Sequence, residues 1–256
     1  MLFSNVTTTA DNSLNSLKGM ISMTSSIILA TANAPMAKYF ESQGFDSLYL
    51  DQNSVAAQLL GPNTDEALSL PEYAQYLKCM RTTTDVKLLA EAAPTFTDAT
   101  SIADTAATLA DNGADTIIIN DFDAEGHPYT TLNFNKLLKQ VSKRLAGTDI
   151  ELMINLSGFE TYGLKGIQER IKIARTANID AITLSQLNIK ALTAVAPLLA
   201  KSTDIGLCID NNQLNFGTAQ SLEPAFILDT YHPMIASNQW IQKTGESVIT
   251  RIYMGN

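Results

Sequence analysis

Gly113-Ala114-Asp115-Thr116-Ile117-Ile118-Ile119 is the stretch whose reading decides the fold. Glycine takes the left-handed backbone conformation that ends helices, and the β-branched residues that follow favour a strand. The same phrase recurs as Gly44-Phe45-Asp46 before Ser47 to Leu50, and as Asn178-Ile179-Asp180 before Ala181 to Leu184. Helices that hand over directly to strands, again and again, predict parallel strands joined by helical crossovers.

Working outward from these phrases, further strands are predicted at Ile27 to Ala30, Val86 to Ala90, Ile150 to Ile154, Ile205 to Ile209 and Phe226 to Leu228. These short apolar runs suit strands buried on both faces. Between them, apolar residues recur at three and four positions over Ala34 to Gln43, Pro71 to Thr82, Ile102 to Asn112, Asn133 to Arg144, Leu164 to Ala177 and Ile189 to Lys201, which predicts amphipathic helices. Strict alternation over eight units predicts an α/β chain folded as a closed (β/α)8 barrel, with an open doubly wound sheet as the rival. Its 256 residues match the size of one such barrel, about 250 residues. We therefore expect one domain over residues 1–256, with residues 1–24 an N-terminal extension or helix. The tail from Asn238 to Asn256 is expected to be a closing helix, with Val248 to Tyr253 as an extra strand or an arm on a neighbouring subunit.

A net charge of −9, from 26 acidic and 17 basic residues, argues against a nucleic acid partner unless the basic groups cluster, and no cluster is visible. The start of the chain has no basic segment followed by an apolar one, and no run is long and apolar enough to span a bilayer. Cys79 and Cys208 stand alone, as free thiols do in a reducing compartment. We expect a cytoplasmic protein with neither membrane nor nucleic acid as a partner.

In such barrels chemistry gathers at the carboxyl ends of the strands. Those positions hold Asp51, Gln52 and Asn53, then Glu91, then Asn120, Asp121, Asp123, Glu125 and His127, then Asn155 and Ser157. Ser185 and Gln186, then Asp210, Asn211 and Asn212, then Tyr231 and His232 complete the rim. Any one of them could be an ordinary loop residue. The carboxylates between Asn120 and His127 could hold a hard cation such as Mg2+, or form a solvated acidic loop in which Asp121 caps the next segment. With His127 and His232 the only histidines, a zinc site is not expected, and no phosphate loop or nucleophile elbow is present.

Four pieces of sequence carry a resemblance: Gly-Phe-Asp-Ser-Leu-Tyr-Leu50, Ser-Val-Ala-Ala-Gln-Leu-Leu-Gly61, Leu-Leu-Ala-Glu-Ala-Ala93 and Asn-Gly-Ala-Asp-Thr-Ile-Ile-Ile-Asn-Asp121. Together they resemble the phosphoenolpyruvate mutase and isocitrate lyase superfamily, with a weaker match running on to Tyr-His-Pro-Met234. The resemblance implies homodimers or homotetramers that exchange the eighth helix, and Mg2+-assisted making or breaking of C–C or P–C bonds in 2-oxo acids. It further implies Glu91 and Asp121 as metal ligands, Asp51, Asn53, Asp65, Asn120 and His127 as catalytic residues, and Gln52, Asn155, Ser185 and Asn211 as substrate-binding residues.

The departures are as specific. The family's Asp-x-Asp after the third strand is Glu91 and Ala93 here, its Glu-Asp after the fourth is Asn120-Asp121, and its Ser-Gly after the second is Asp51-Gln52. Its substrate-binding Arg after the fifth strand is matched by Asn155, and its Glu after the sixth by Ser185. Three readings follow. One is a lyase-like enzyme that keeps Mg2+ but acts on a less anionic carbonyl compound. Another is a non-catalytic barrel that binds a small polar ligand through Asp51, Asn53, Asn120, Asn155 and Asp210. The last is a structural role in an oligomer.

Overall fold

The computed structural model describes residues 25–61, 68–96, 101–200 and 202–237, together with 239 and 243. Strands β1 (Ser26–Thr31), β2 (Ser47–Leu50), β3 (Lys87–Glu91), β4 (Thr116–Asn120), β5 (Glu151–Leu156), β6 (Ala181–Leu184), β7 (Ile205–Ile209) and β8 (Phe226–Asp229) pair in chain order, all parallel. The ring closes where β1 pairs with β8, Ile27 opposite Ile227. The closed barrel is thus realised and the open sheet is not.

Helices α1 (Ala34–Ser42), α2 (Gln52–Leu60), α3 (Leu70–Arg81), α4 (Ile102–Asp111), α5 (Thr131–Arg144), α6 (Phe159–Thr176), α7 (Ile189–Leu199) and α8 (Phe216–Ser221) surround it. Two of these, α2 and α8, lie outside the helical stretches named from the sequence. In α2 the decisive residue is Asp51, whose carboxylate caps the helix by accepting from the Ser54 backbone N–H at 2.8 Å. Expected segments at residues 1–24 and 238–256 fall outside the described residues apart from 239 and 243, as does Asp65. No described helix is long and apolar enough to cross a membrane.

The recurring phrase has a physical reason beyond its glycine. Gly44, Gly113 and Asn178 take φ of 91°, 103° and 56°, the left-handed turn that ends each helix. The aspartate that follows reaches sideways: Asp115 accepts from the Leu88 N–H of β3 and Asp180 from the Leu152 N–H of β5, both at 2.8 Å. Each splices the start of the neighbouring strand into the ring.

Side chains alternate across every strand. Leu48, Leu50, Leu88, Ala90, Ile117 and Ile119 pack outward against the helices. Tyr49, Leu89, Ile118, Met153, Cys208, Phe226 and Leu228 fill the barrel interior. The interior is tight: a methyl group on Gly206 of β7 would collide with the Phe226 ring of the neighbouring strand. Gly206→Ala is therefore expected to destabilise the fold by about 1–3 kcal/mol in denaturant unfolding. Adding Phe226→Leu should recover part of the loss.

Candidate functional site

The same alternation selects which strand-end residues look inward. Two residues beyond the interior-facing Tyr49, Leu89, Ile118, Met153 and Cys208 stand Asp51, Glu91, Asn120, Asn155 and Asp210. Ser185 stands two beyond Thr183, whose hydroxyl reaches the Met153 sulfur on the neighbouring strand. Five of the inward side chains join into one ladder across the mouth. Ser185 Oγ donates to Asn155 Oδ1 at 2.7 Å, Asn155 Nδ2 to Asn120 Oδ1 at 3.0 Å, and Asn120 Nδ2 to Glu91 Oε1 at 2.6 Å. From the other side Tyr49 donates its hydroxyl hydrogen to Glu91 Oε2 at 2.9 Å.

Glu91 is therefore a partly buried carboxylate with a donor on each oxygen. Burial pushes its carboxyl above the ordinary carboxylate range, the bonds from Tyr49 and Asn120 pull it back, and the nearby Asp51 raises it further. Burial likewise pushes the Tyr49 phenol well up, with Glu91 and Asp51 adding to the effect. Tyr49 keeps its proton and remains a donor.

Above this floor lies a cleft of about 450 Å³. Among the predicted site residues, Asp51, Gln52, Asn53, Glu91, Asn120 and Asn155 line it, joined by Tyr49, Phe122, Asp123, Ser157 and Gln186. Ser185 is 4% exposed and acts beneath the surface, through Asn155. His127 is not in the cleft: its side chain is 77% exposed at the tip of the loop after β4, and its backbone N–H is tied to Asp123. Asn211 belongs to a separate hollow with Asp210, Gln186 and Asn188, where it donates to Asp210 at 2.6 Å.

Asp121 corrects the expected metal pair. It follows Ile117 and Ile119 in register, so it points outward, away from Glu91 and into the helix layer, where it is fully buried. There it accepts from the Ser157 backbone N–H at 3.1 Å, the Ser157 hydroxyl at 3.3 Å and the Tyr162 hydroxyl of α6. Arg170 of α6, 5% exposed, brings its Nε to 3.7 Å from Asp121 and donates through a terminal nitrogen to the Tyr129 carbonyl. Nε itself finds no hydrogen-bond acceptor, so the pair is held by charge rather than by a direct bond. Burial raises the Asp121 carboxyl, and Tyr162, Ser157 and Arg170 hold it back.

A Mg2+ ion takes oxygen ligands, keeps several waters and is usually held by one or two carboxylates. Here each Glu91 oxygen already accepts one protein donor, Asp121 is turned away from Glu91, and Asp51 caps a helix. Among the described residues no group of three or more His, Cys, Asp or Glu could hold a metal ion. The Glu91–Asp121 pair that the resemblance implies for magnesium therefore does not converge on one ion.

Sequence reasoning missed Tyr49, Tyr162 and Arg170. Arg170 carried a signal: Ile167, Arg170, Ile171 and Ala174 form one buried helical stripe, and a charge on such a stripe needs an internal partner.

No family profile matches the sequence, and no curated protein matches it. Solved structures do. A 2,3-dimethylmalate lyase, described as a PEP mutase/isocitrate lyase superfamily member, aligns with a TM-score of 0.71 at 15% identity, over 94% of this chain and 87% of its own. An oxaloacetate acetylhydrolase in complex with the product oxalate aligns with a TM-score of 0.73 at 15% identity, over 90% and 82%. A phosphonopyruvate hydrolase in complex with oxalate and Mg++ aligns with a TM-score of 0.71 at 18% identity, over 89% and 82%. At these identities the likeness is one of architecture, and the chain has the (β/α)8 barrel fold seen in members of the phosphoenolpyruvate mutase/isocitrate lyase superfamily.

Proposed function

We propose that the barrel binds a small uncharged or cationic polar molecule in the cleft over Glu91, and that it does so without a divalent ion. The observation that carries this reading is the charge of the lining. Asp51, Glu91 and Asp123 face the cleft, and no Lys, Arg or His is among its described lining residues. An oxo acid would meet like charge; at ~4 Å and an effective dielectric near ~20 each such pair costs about 4 kcal/mol.

The second reading is the Mg2+-dependent lyase for 2-oxo acids or related carbonyl compounds. It draws support from the fold shared with a hydrolase complexed with oxalate and Mg++. One set of melting experiments separates the two. Millimolar Mg2+ or Mn2+, alone or with oxalate, is expected to leave the melting temperature unchanged, while an amine or a polyol raises it. A metal-dependent rise that Glu91→Ala removes would instead overturn the metal-free reading and favour the lyase.

A further inference from the structure

The ladder at the barrel mouth has a direction. Every bond in it points toward Glu91: hydroxyl to Asn155, Asn155 to Asn120, Asn120 to the carboxylate. A carboxylate can only accept, so Asn120 must turn its NH2 toward Glu91, and Asn155 must then turn its NH2 toward the Asn120 oxygen. Each amide oxygen is used, and each nitrogen has used one of its two hydrogens. What remains on the floor is therefore fixed: one N–H from Asn120, one N–H from Asn155 on the adjacent strand, and the unused lone pairs of Glu91.

That pattern sorts ligand chemistries by hydrogen-bond sense. A carboxylate or oxo acid only accepts, so it would satisfy the two N–H groups but press negative charge against Glu91 and Asp51. An ammonium only donates; it would suit Glu91 and leave both amide hydrogens facing a group with no lone pair. A hydroxyl does both at once. It can donate to Glu91 while accepting from Asn120, and a second hydroxyl on the adjacent carbon can accept from Asn155. The rim repeats the theme, because Gln52, Asn53, Gln186 and Thr95 all donate and accept, while the Phe122 ring offers an apolar surface to C–H groups. A cleft of about 450 Å³ has room for a molecule of monosaccharide size.

We infer that the cleft recognises a neutral polyhydroxylated molecule, a polyol or monosaccharide, with neighbouring hydroxyls seated on Glu91–Asn120 and on Asn155. This rests on the binding reading above and narrows it to one ligand class. The test is calorimetric titration of the full chain with myo-inositol, sorbitol and glucose, against putrescine, propionamide, and oxalate with Mg2+. Saturable binding of at least one of the three polyhydroxy compounds is expected. Asn155→Asp keeps the size of the side chain and an acceptor for Ser185 but removes both N–H groups, the free one and the one donated to Asn120, and should weaken that binding at least about tenfold. Nonspecific stabilisation by an excluded solute would not saturate and would be the same in the variant, and finding only that would overturn the inference. Binding of putrescine or propionamide without any polyhydroxy compound overturns the ligand class and leaves the binding reading standing. Binding of oxalate with Mg2+ alone overturns both. The wild-type titrations decide between these outcomes even where the variant fails to fold.

Discussion

Replacing Asp121 by Ala is expected to destabilise the barrel by about 3–5 kcal/mol, the usual consequence of removing one member of a buried charge pair. Arg170 would be left almost fully buried with no anion beside it, and the Tyr162 hydroxyl and the Ser157 N–H would both lose their acceptor. The guanidinium lies 3.9 Å from the Tyr162 ring centroid and 5.7 Å from that of Phe134, and these faces offset only a fraction of the loss. Removing the charge on both sides, as Asp121→Ala with Arg170→Met, should therefore recover a good part of the stability, giving a large coupling in a double-mutant cycle. Denaturant unfolding with and without Mg2+ provides the check. An Asp121 that held a metal would behave in the opposite way: its loss would spare or improve stability without metal and abolish the response to it.

The expected metal pair went wrong by a single residue of register. Sequence alone showed that Asn120 and Asp121 both follow β4, but only one of two consecutive strand residues can face the barrel mouth. Applying the alternation from Ile118 puts Asn120 inward and sends Asp121 to α6, so this much was legible and was lost by treating the strand ends as one set. The glycine and asparagine helix stops were legible because φ of about 100° or 56° leaves few residue types able to take their place. The ladder was legible only in its members. Its connections depend on which strand lies beside which and by how much each is displaced along its neighbour, as where Glu91 pairs with Ile118 while Asn120 pairs with Asn155. No local pattern in one strand encodes that displacement. Asp51 shows the other limit: a carboxylate after a strand reads equally as a site residue or a helix cap, and here it lines the cleft while capping α2.

Lowering the pH from neutral is expected to stabilise the protein before it destabilises it. Burial is the largest influence on both Glu91 and Asp121 and raises each above its ordinary value, 4.5 and 3.8 respectively. Between the ordinary value and the raised folded one, the folded chain holds more protons than the unfolded chain, so stability falls as pH rises through that window. Going down in pH, the burden of the Glu91 charge is relieved as it takes up its proton, by about 1.4 kcal/mol for a folded pKa one pH unit above the ordinary value. The opposing group is Asp204, held low chiefly by its bonds to Arg175 at 2.7 and 2.8 Å; its contribution is present above pH 3.8 and is lost as pH falls through its lowered value. Arg175 is half exposed, so solvent screening keeps that contribution small and confines it to the acid end. Urea unfolding followed from pH 8 downward, in steps of about half a pH unit, should thus show a maximum on the acid side of neutrality, just above the ordinary carboxylate range. Glu91→Gln should flatten the rise toward that maximum, since an amide has no proton to gain, whereas Asp204→Asn should alter only the acid limb. A monotonic fall from neutral pH in the wild type would mean that Tyr49 and Asn120 hold the Glu91 anion more strongly than burial opposes it.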